Sequence, residues 1–106
     1  MRESSRIQIY EVVEETGSGG VCIVRCVGGV ARVGQIFMLE ASPNRPSGTV
    51  RLRLDRIERY GQDVDAFDVM HTAKVHLTGG TMSGLVRGSI LAAGPSAPAD
   101  GPEDMA

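Results

Sequence analysis

Short apolar segments separated by glycine dominate the first part of the chain. Residues 7–13 read Ile-Gln-Ile-Tyr-Glu-Val-Val, and a turn at residues 16–20 with three glycines separates them from the apolar residues 21–27. β-Branched side chains favour extended backbone, whereas glycine clusters favour turns. Residues 21–27 are apolar at nearly every position, which is typical of a strand covered on both faces. The pattern therefore predicts two strands, the second of them central in a sheet.

Apolar and charged residues alternate in the second part of the chain. Residues 50–55, Val-Arg-Leu-Arg-Leu-Asp, follow a period of two, which predicts a half-buried strand with arginine on its outer face. Residues 36–39, before a loop at 42–48 that is rich in Pro and Ser, predict another strand. Residues 73–78 and 86–91 predict two more. No segment keeps a helical period.

Six or seven short strands without a helix predict an all-β protein, either a sandwich or a closed barrel. We favour a small closed antiparallel barrel. The 106 residues leave room for one domain. We divide the chain into a flexible N-terminus at 1–6, the barrel at 7–91, and a disordered acidic tail at 92–106 that is rich in Ala, Pro and Gly.

Charge and hydropathy narrow the choice of partners. Lys and Arg total 11 against 13 Asp and Glu, for a formal net charge of −2, so no overall positive field attracts nucleic acid or anionic lipid. The net charge does not exclude a local basic patch. The N-terminus has no apolar segment of the signal-peptide type, and the apolar runs are too short to span a bilayer. We expect a cytoplasmic protein with no membrane partner.

Cysteine and histidine give no recognisable metal or redox centre. Cys22 and Cys26 lie in one predicted strand, where about 3.3 Å per residue places their Cα atoms roughly 13 Å apart, beyond disulfide reach. Two ligands are too few for a structural zinc site. We predict buried, reduced thiols, with a redox or intermolecular role as the alternative. His71 and His76 would point to opposite faces of one strand, so we expect neither metal nor cofactor.

Glycine spacing adds a more specific signal, because five short motifs occur in a fixed order. They are Gly17-x-Gly19, the glycine-bounded segment 29–39, the segment 54–66 that contains Ile57-Glu58, and the endings Val75-x-Leu77-x-Gly79 and Arg87-Gly88-x-x-Leu91. In this order the chain resembles domain II of translational GTPases of the elongation factor Tu type. The resemblance extends over residues 7–91.

The resemblance implies an antiparallel barrel of six or seven strands that stands beside a nucleotide-binding domain and touches tRNA or ribosomal RNA. The sequence contains no G-x-x-x-x-G-K-[ST] phosphate loop, and its length does not accommodate a GTPase domain as well as a barrel. We therefore expect a free-standing domain that neither binds a nucleotide cofactor nor catalyses a reaction.

The resemblance also implies a pocket that accepts the 3′-terminal adenosine and the aminoacyl group of tRNA. By position, the family's glutamate corresponds to Glu58 and its neighbouring aromatic residue to Tyr60. The sequence departs from the family pattern at four places: Gly61 replaces arginine, His76 replaces leucine, Val69-Met70 replaces Ala-Gly, and Val24 replaces glycine.

Four arginines form the most prominent candidate site. Guanidinium groups bind phosphates and carboxylates, and a nearby tyrosine stacks on a base. The opposite interpretation is an ordinary surface in which neighbouring acids pair with these arginines. The candidate binding residues are Arg51, Arg53, Arg56, Arg59, Glu58 and Tyr60, and the acids that would compete are Asp55, Glu58, Asp63 and Asp65.

Two functions follow from the sequence. The first is a module that binds RNA or a ribosome-associated surface through the arginine face. The second is a protein interaction or self-association module that uses barrel edges or the apolar residues near Val69 and Met70. Salt sensitivity favours the first, whereas a concentration-dependent, nuclease-resistant dimer favours the second.

Overall fold

The computed structural model describes residues 5–41, 50–82 and 84–93, which form nine strands and no helix. Accordingly, no helix in this part of the chain is long and apolar enough to cross a membrane. The strands are β1 (Ser5–Thr16), β2 (Gly19–Gly28), β3 (Val30–Arg32), β4 (Ile36–Ala41), β5 (Arg51–Arg59), β6 (Gln62–Val64), β7 (Ala66–Asp68), β8 (Thr72–Thr78) and β9 (Ile90–Ala93).

Six of the strands close into an antiparallel barrel, as the sequence predicts. The hydrogen-bonded order is β4-β9-β1-β2-β8-β5, and a further pairing of β5 with β4 completes the ring. Strand β6 extends the same sheet beside the end of β5, while β3 and β7 form a separate two-stranded ladder. Closure pairs strands that an open sheet would leave at its edges.

The barrel interior is filled mainly by aliphatic side chains. Alternate residues point inward in the regular parts of the strands, and Phe37 is the largest fully buried side chain among the described residues. Cys22 and Cys26 are both free and buried, which confirms the predicted position of the thiols. Burial raises the pKa of Cys22 to about 12, so this thiol stays protonated and unreactive near neutral pH.

Strand β5 contains one extra residue in its middle. Leu54 pairs with Leu77 of β8 but Arg56, two residues later, pairs with the adjacent His76, so the register shifts at this point. A bulge of this kind places two consecutive residues on one face. Asp55 and Arg56 are therefore both exposed, while Leu54 and the following Ile57 are both buried.

The structure differs from the predicted boundaries at several points. Residues 86–89 form a turn in which Gly88 has φ +95°, so β9 begins only at Ile90. The first strand starts at Ser5 and the last ends at Ala93, each two residues outside the predicted barrel limits. Residues 1–4 of the N-terminus, the loop 42–48 and residues 94–106 of the tail lie outside the described residues.

Candidate functional site

A groove of about 530 Å³ opens on the barrel surface where two turns come together beside β2. One is the β5–β6 turn and the other is the β7–β8 turn. Ile23 and Ala73 contribute apolar surface, and Arg59 and Lys74 contribute positive charge. The groove is lined by Ile23, Glu58, Arg59, Tyr60, Gly61, Met70, His71, Thr72, Ala73 and Lys74.

Tyr60 occupies a conformation that a tyrosine rarely adopts. Arg59 pairs with Gln62, so only Tyr60 and Gly61 connect β5 to β6, and their φ angles are +54° and +77°. Positive φ at both central residues defines a type I′ turn, which favours Asn-Gly. A side chain in this region costs roughly 1–2 kcal/mol. Because Tyr60 is 93% exposed, burial of its ring does not offset that cost.

Met70 shows the same combination of positive φ and exposure. It is the third residue of a turn closed by a hydrogen bond of 3.1 Å from His71 N–H to the Asp68 carbonyl, and its φ is +78°. That position of a type II turn normally requires glycine or asparagine. The side chain is 68% exposed, and its sulfur accepts a hydrogen bond of 3.6 Å from Arg25 Nη2.

The two unusual backbone positions belong to the same groove. Within the described part of the chain, Tyr60 and Met70 are the non-glycine residues with positive φ, and both line it. Residues held in sparsely populated φ/ψ regions cluster at binding and active sites. The groove is therefore the leading candidate for the functional site.

Arg59 has a binding group that the described residues leave unused. Its Nε is buried and has no hydrogen-bond partner among them, and its guanidinium carbon lies 5.2 Å from the centroid of the Tyr60 ring. A buried donor without an acceptor costs about 1–3 kcal/mol. An acceptor brought by a ligand would relieve that cost.

Arg56 lies in a network of acids on the outer face of β5, beside the groove. Its Nε is 2.8 Å from Asp63 Oδ1 and its Nη1 is 3.9 Å from Glu58 Oε2. The same Glu58 oxygen lies 2.5 Å from His76 Nε2. The hydrogen bond from His76 lowers the pKa of Glu58, helped by the charge of Arg56, whereas desolvation opposes the shift. The Arg56 charge is thus already balanced within the protein.

Arg51 and Arg53 lie on the far side of the bulge. They pair across the sheet with Met38 and Ile36 of β4, and we call these four exposed side chains the basic face. Arg53 Nε is 3.4 Å from Asp55 Oδ1. No carboxylate among the described residues lies within ion-pair distance of Arg51.

The structure thus places the four predicted arginines in three different surroundings. Arg59 joins Glu58 and Tyr60 at the groove, Arg56 is paired with acids, and Arg51 and Arg53 form part of the basic face. Sequence reasoning did not assign Ile23 or Lys74 to a site, since only the β2–β8 pairing brings them together. For Met70, the departure from Ala-Gly in the family pattern was the available signal.

The histidines have local partners. His71 precedes β8 and lies 2.6 Å from Asp68 Oδ1 through Nδ1, which braces the β7–β8 turn, and His76 joins Glu58. Groups of three or more His, Cys, Asp or Glu side chains that could hold a metal ion are absent from residues 5–41, 50–82 and 84–93.

Comparison with known proteins supports the fold. No family model matches the chain, and no curated protein matches it. Among solved structures it is similar to the apo crystal structure of translation elongation factor SelB from Methanococcus maripaludis, with a TM-score of 0.68. The chain shares its fold with part of a translation elongation factor. The match has 16% sequence identity and covers 84% of this chain but 18% of SelB. It confirms at the level of the fold the resemblance found in the sequence.

Proposed function

We propose that this protein is a non-catalytic RNA-binding module of the translation-factor type, and that its groove receives an unpaired nucleotide. The observation that carries the proposal is that both non-glycine residues of positive φ in the described chain, Tyr60 and Met70, line one groove. Neither gains burial in return for its unfavourable backbone, so a ligand contact is the physical reason that we assign to them.

The groove has the chemistry that a nucleotide needs. The exposed Tyr60 ring offers a surface on which a base stacks, and its two-residue turn fixes the position of its backbone. Arg59 and Lys74 provide donors for phosphate oxygens at the rim. Ile23 provides an apolar contact for the sugar or base.

The sequence resemblance supports the same location. Glu58 and Tyr60, the two positions that match the family's pocket for a terminal adenosine, both line the groove. Arg56 is less suited to bind a phosphate, because it is already paired with the Asp63 carboxylate.

The test is RNA binding with a pair of matched tyrosine variants. The probe is a fluorescently labelled RNA stem with a single-stranded 3′ end that terminates in adenosine. Its binding is measured by fluorescence anisotropy at low salt. Tyr60→Ala should weaken binding about 5- to 150-fold, since stacking is worth about 1–3 kcal/mol per base. Arg59→Ala should also weaken it. The control is Tyr10→Ala, because Tyr10 is also exposed (54%) and also carries an arginine, with Arg87 at 4.4 Å from its ring, but lies outside the groove.

The result that overturns the proposal is equally definite. Absence of binding by the unmodified protein, or equal binding by the Tyr60→Ala and Tyr10→Ala proteins, removes the groove as an RNA site. Circular dichroism spectra of the variants establish that they fold.

Self-association is the second candidate. Val69 and Met70 expose adjacent apolar side chains at the tip of the β7–β8 turn. Sedimentation across a range of protein concentrations tests it. A dimer that resists nuclease and is weakened by Met70→Ser favours this function, whereas a monomer at all concentrations excludes it.

A further inference from the structure

The basic face has both charge and apolar surface, and it lies away from the groove. Across strands β9, β4 and β5, Ala92 pairs with Met38 and Met38 pairs with Arg51. In the neighbouring row, Ile36 pairs with Arg53. The arginines therefore flank two exposed apolar side chains on one sheet surface.

The described acids nearest this face are paired with residues other than Arg51. Glu40, the outward-facing acid of β4, already pairs with Arg6 at 2.8 Å, and Asp55 shares its carboxylate between Arg53 and the Thr78 hydroxyl. Among the described residues Arg51 has no ion-pair partner. The face is thus suited to an acidic segment that also carries an apolar side chain.

The chain itself contains such a segment directly after β9. Residues 94–106 include Asp100, Glu103, Asp104 and Met105 and contain no lysine or arginine. Three acids and a methionine complement two arginines, an isoleucine and a methionine. Charge and hydropathy therefore match between the two parts of the chain.

The distances also match. β9 and β5 lie on either side of β4, which separates them by about 10 Å at about 4.8 Å per strand. Because β9 runs antiparallel to β4, β9 ends at Ala93 on the side of Ile36, which is paired with Arg53. Seven to eleven residues separate Ala93 from the acids in the sequence. A random coil of that length spans roughly 13–20 Å, which is enough to cover the distance without full extension.

We propose that the acidic segment 100–105 docks on the basic face, with its carboxylates on Arg51 and Arg53 and Met105 against Ile36 and Met38. Exposed ion pairs are individually weak, so the contact is reversible and sensitive to salt. Because the segment and the face belong to the same chain, the effective concentration of the segment at the face is in the millimolar range, which compensates for the weakness of the individual ion pairs. This proposal concerns a different surface from the groove and stands without the proposed function.

Paramagnetic NMR tests the contact directly, without RNA. A nitroxide is attached to Ala99→Cys in the full chain, and the buried Cys22 and Cys26 thiols do not compete for the label. Amides of residues 36–39 and 51–53 should lose at least half of their intensity, while those of Tyr60 and Lys74 in the groove should be little affected. The broadening should fade in 0.5 M salt.

Two matched variants and a mixing experiment complete the test. Asp100→Asn with Glu103→Gln and Asp104→Asn, or Arg51→Gln with Arg53→Gln, should remove the selective broadening while preserving the rest of the spectrum. Equal broadening of the groove and the basic face, or selective broadening that survives both variants, overturns the proposal. In the mixing experiment, nitroxide-labelled chains without isotope are added to isotopically labelled chains without nitroxide at the same concentration. Selective broadening of the basic face in that mixture also overturns the proposal, because it indicates docking onto a second copy.

Discussion

The two halves of strand β5 have the same inner face and different outer faces. Leu52 and Leu54 of the first half and Ile57 of the second are all buried in one core. On the outside, Arg51 lacks an ion-pair partner among the described residues, whereas Arg56 makes close contact with Asp63. The bulge separates the two halves. Two arginines of the same strand thus differ in whether a carboxylate balances their charge, because their cross-strand neighbours differ.

The comparison also separates two kinds of surface. The first half of β5 is regular strand beside β4, and its chemistry comes from side chains alone. The second half leads into a turn with an unfavourable backbone at Tyr60. Local strain therefore accompanies one candidate site and is not seen at the other. Variants that act on the core, the turn and the acids test this difference in turn.

The largest effects are expected on the inner face of β5, which is buried in both halves of the strand. Leu54→Ala and Ile57→Ala remove fully buried side chains on either side of the bulge, and each should lower the free energy of unfolding by about 2–5 kcal/mol. Urea denaturation measures both values. A cost below 1 kcal/mol for either variant would contradict the single continuous core that the inner face of β5 implies.

An intermediate effect is expected at the turn, where two tyrosine substitutions should have opposite signs. Tyr60→Asn should raise the free energy of unfolding by up to about 1 kcal/mol, because Asn-Gly is favoured in a type I′ turn. Tyr10→Asn should lower it by a similar amount, since asparagine is unfavourable within a strand and the Arg87 contact is lost. Thermal melts of the two variants provide the measurement.

The sign at Tyr60 is decisive. Loss of the contact between Arg59 and Tyr60 reduces the expected gain but should not reverse it, because exposed cation–π contacts are worth about 0.5–1 kcal/mol. Equal destabilisation by Tyr60→Asn and Tyr10→Asn would show that the backbone of Tyr60 is not strained.

The smallest effect is a pH dependence in the second half of β5. The hydrogen bond from His76 lowers the pKa of Glu58 from 4.5, so the folded state favours the carboxylate. The resulting stability is present above about pH 4.5 and is lost as the pH falls through the lowered value. Glu58→Gln should therefore be less stable than the unmodified protein at pH 6, and the difference should shrink toward pH 3.

Arg87→Gln is the control for that measurement. Arg87 contacts the Tyr10 ring and has no ion-pair partner among the described residues, so the effect of this variant on urea denaturation should stay nearly constant over the same pH range. A difference for Glu58→Gln that does not vary with pH would show that the carboxylate gains no stability from His76.

The sequence predicted the barrel because most of its strands are long enough to show a period. The alternation in residues 50–55 and 73–78 arises because each strand has one buried and one exposed face, and it is visible in the sequence of the strand alone. Strands β3, β6 and β7 have three residues each, too few for a pattern. The turn at 86–89 was predicted as strand, since Val86 and the following Ile90 and Leu91 are apolar and the positive φ of Gly88 is not visible in the sequence.

The candidate site was less accessible to sequence reasoning. Glu58, Arg59 and Tyr60 were named, but the groove that contains them also requires Ile23 and Lys74, which are paired between β2 and β8. The balance of charge at Arg56 depends on the β5–β6 pairing that brings Asp63 alongside. Neither the groove nor this ion pair can be predicted from the pattern within one strand, because both arise from contacts between separate strands.

The extra residue in β5 has a consequence for aligning this chain with others of the same fold. The spacing Leu54-x-x-Ile57 is the trace of the bulge in the sequence. With a strict period of two, Arg56 and Glu58 would occupy inward positions and Ile57 an outward one. An alignment that omits a one-residue gap against a partner lacking the bulge therefore exchanges core and surface positions from residue 56 onward, and assigns the groove's residues to the wrong face.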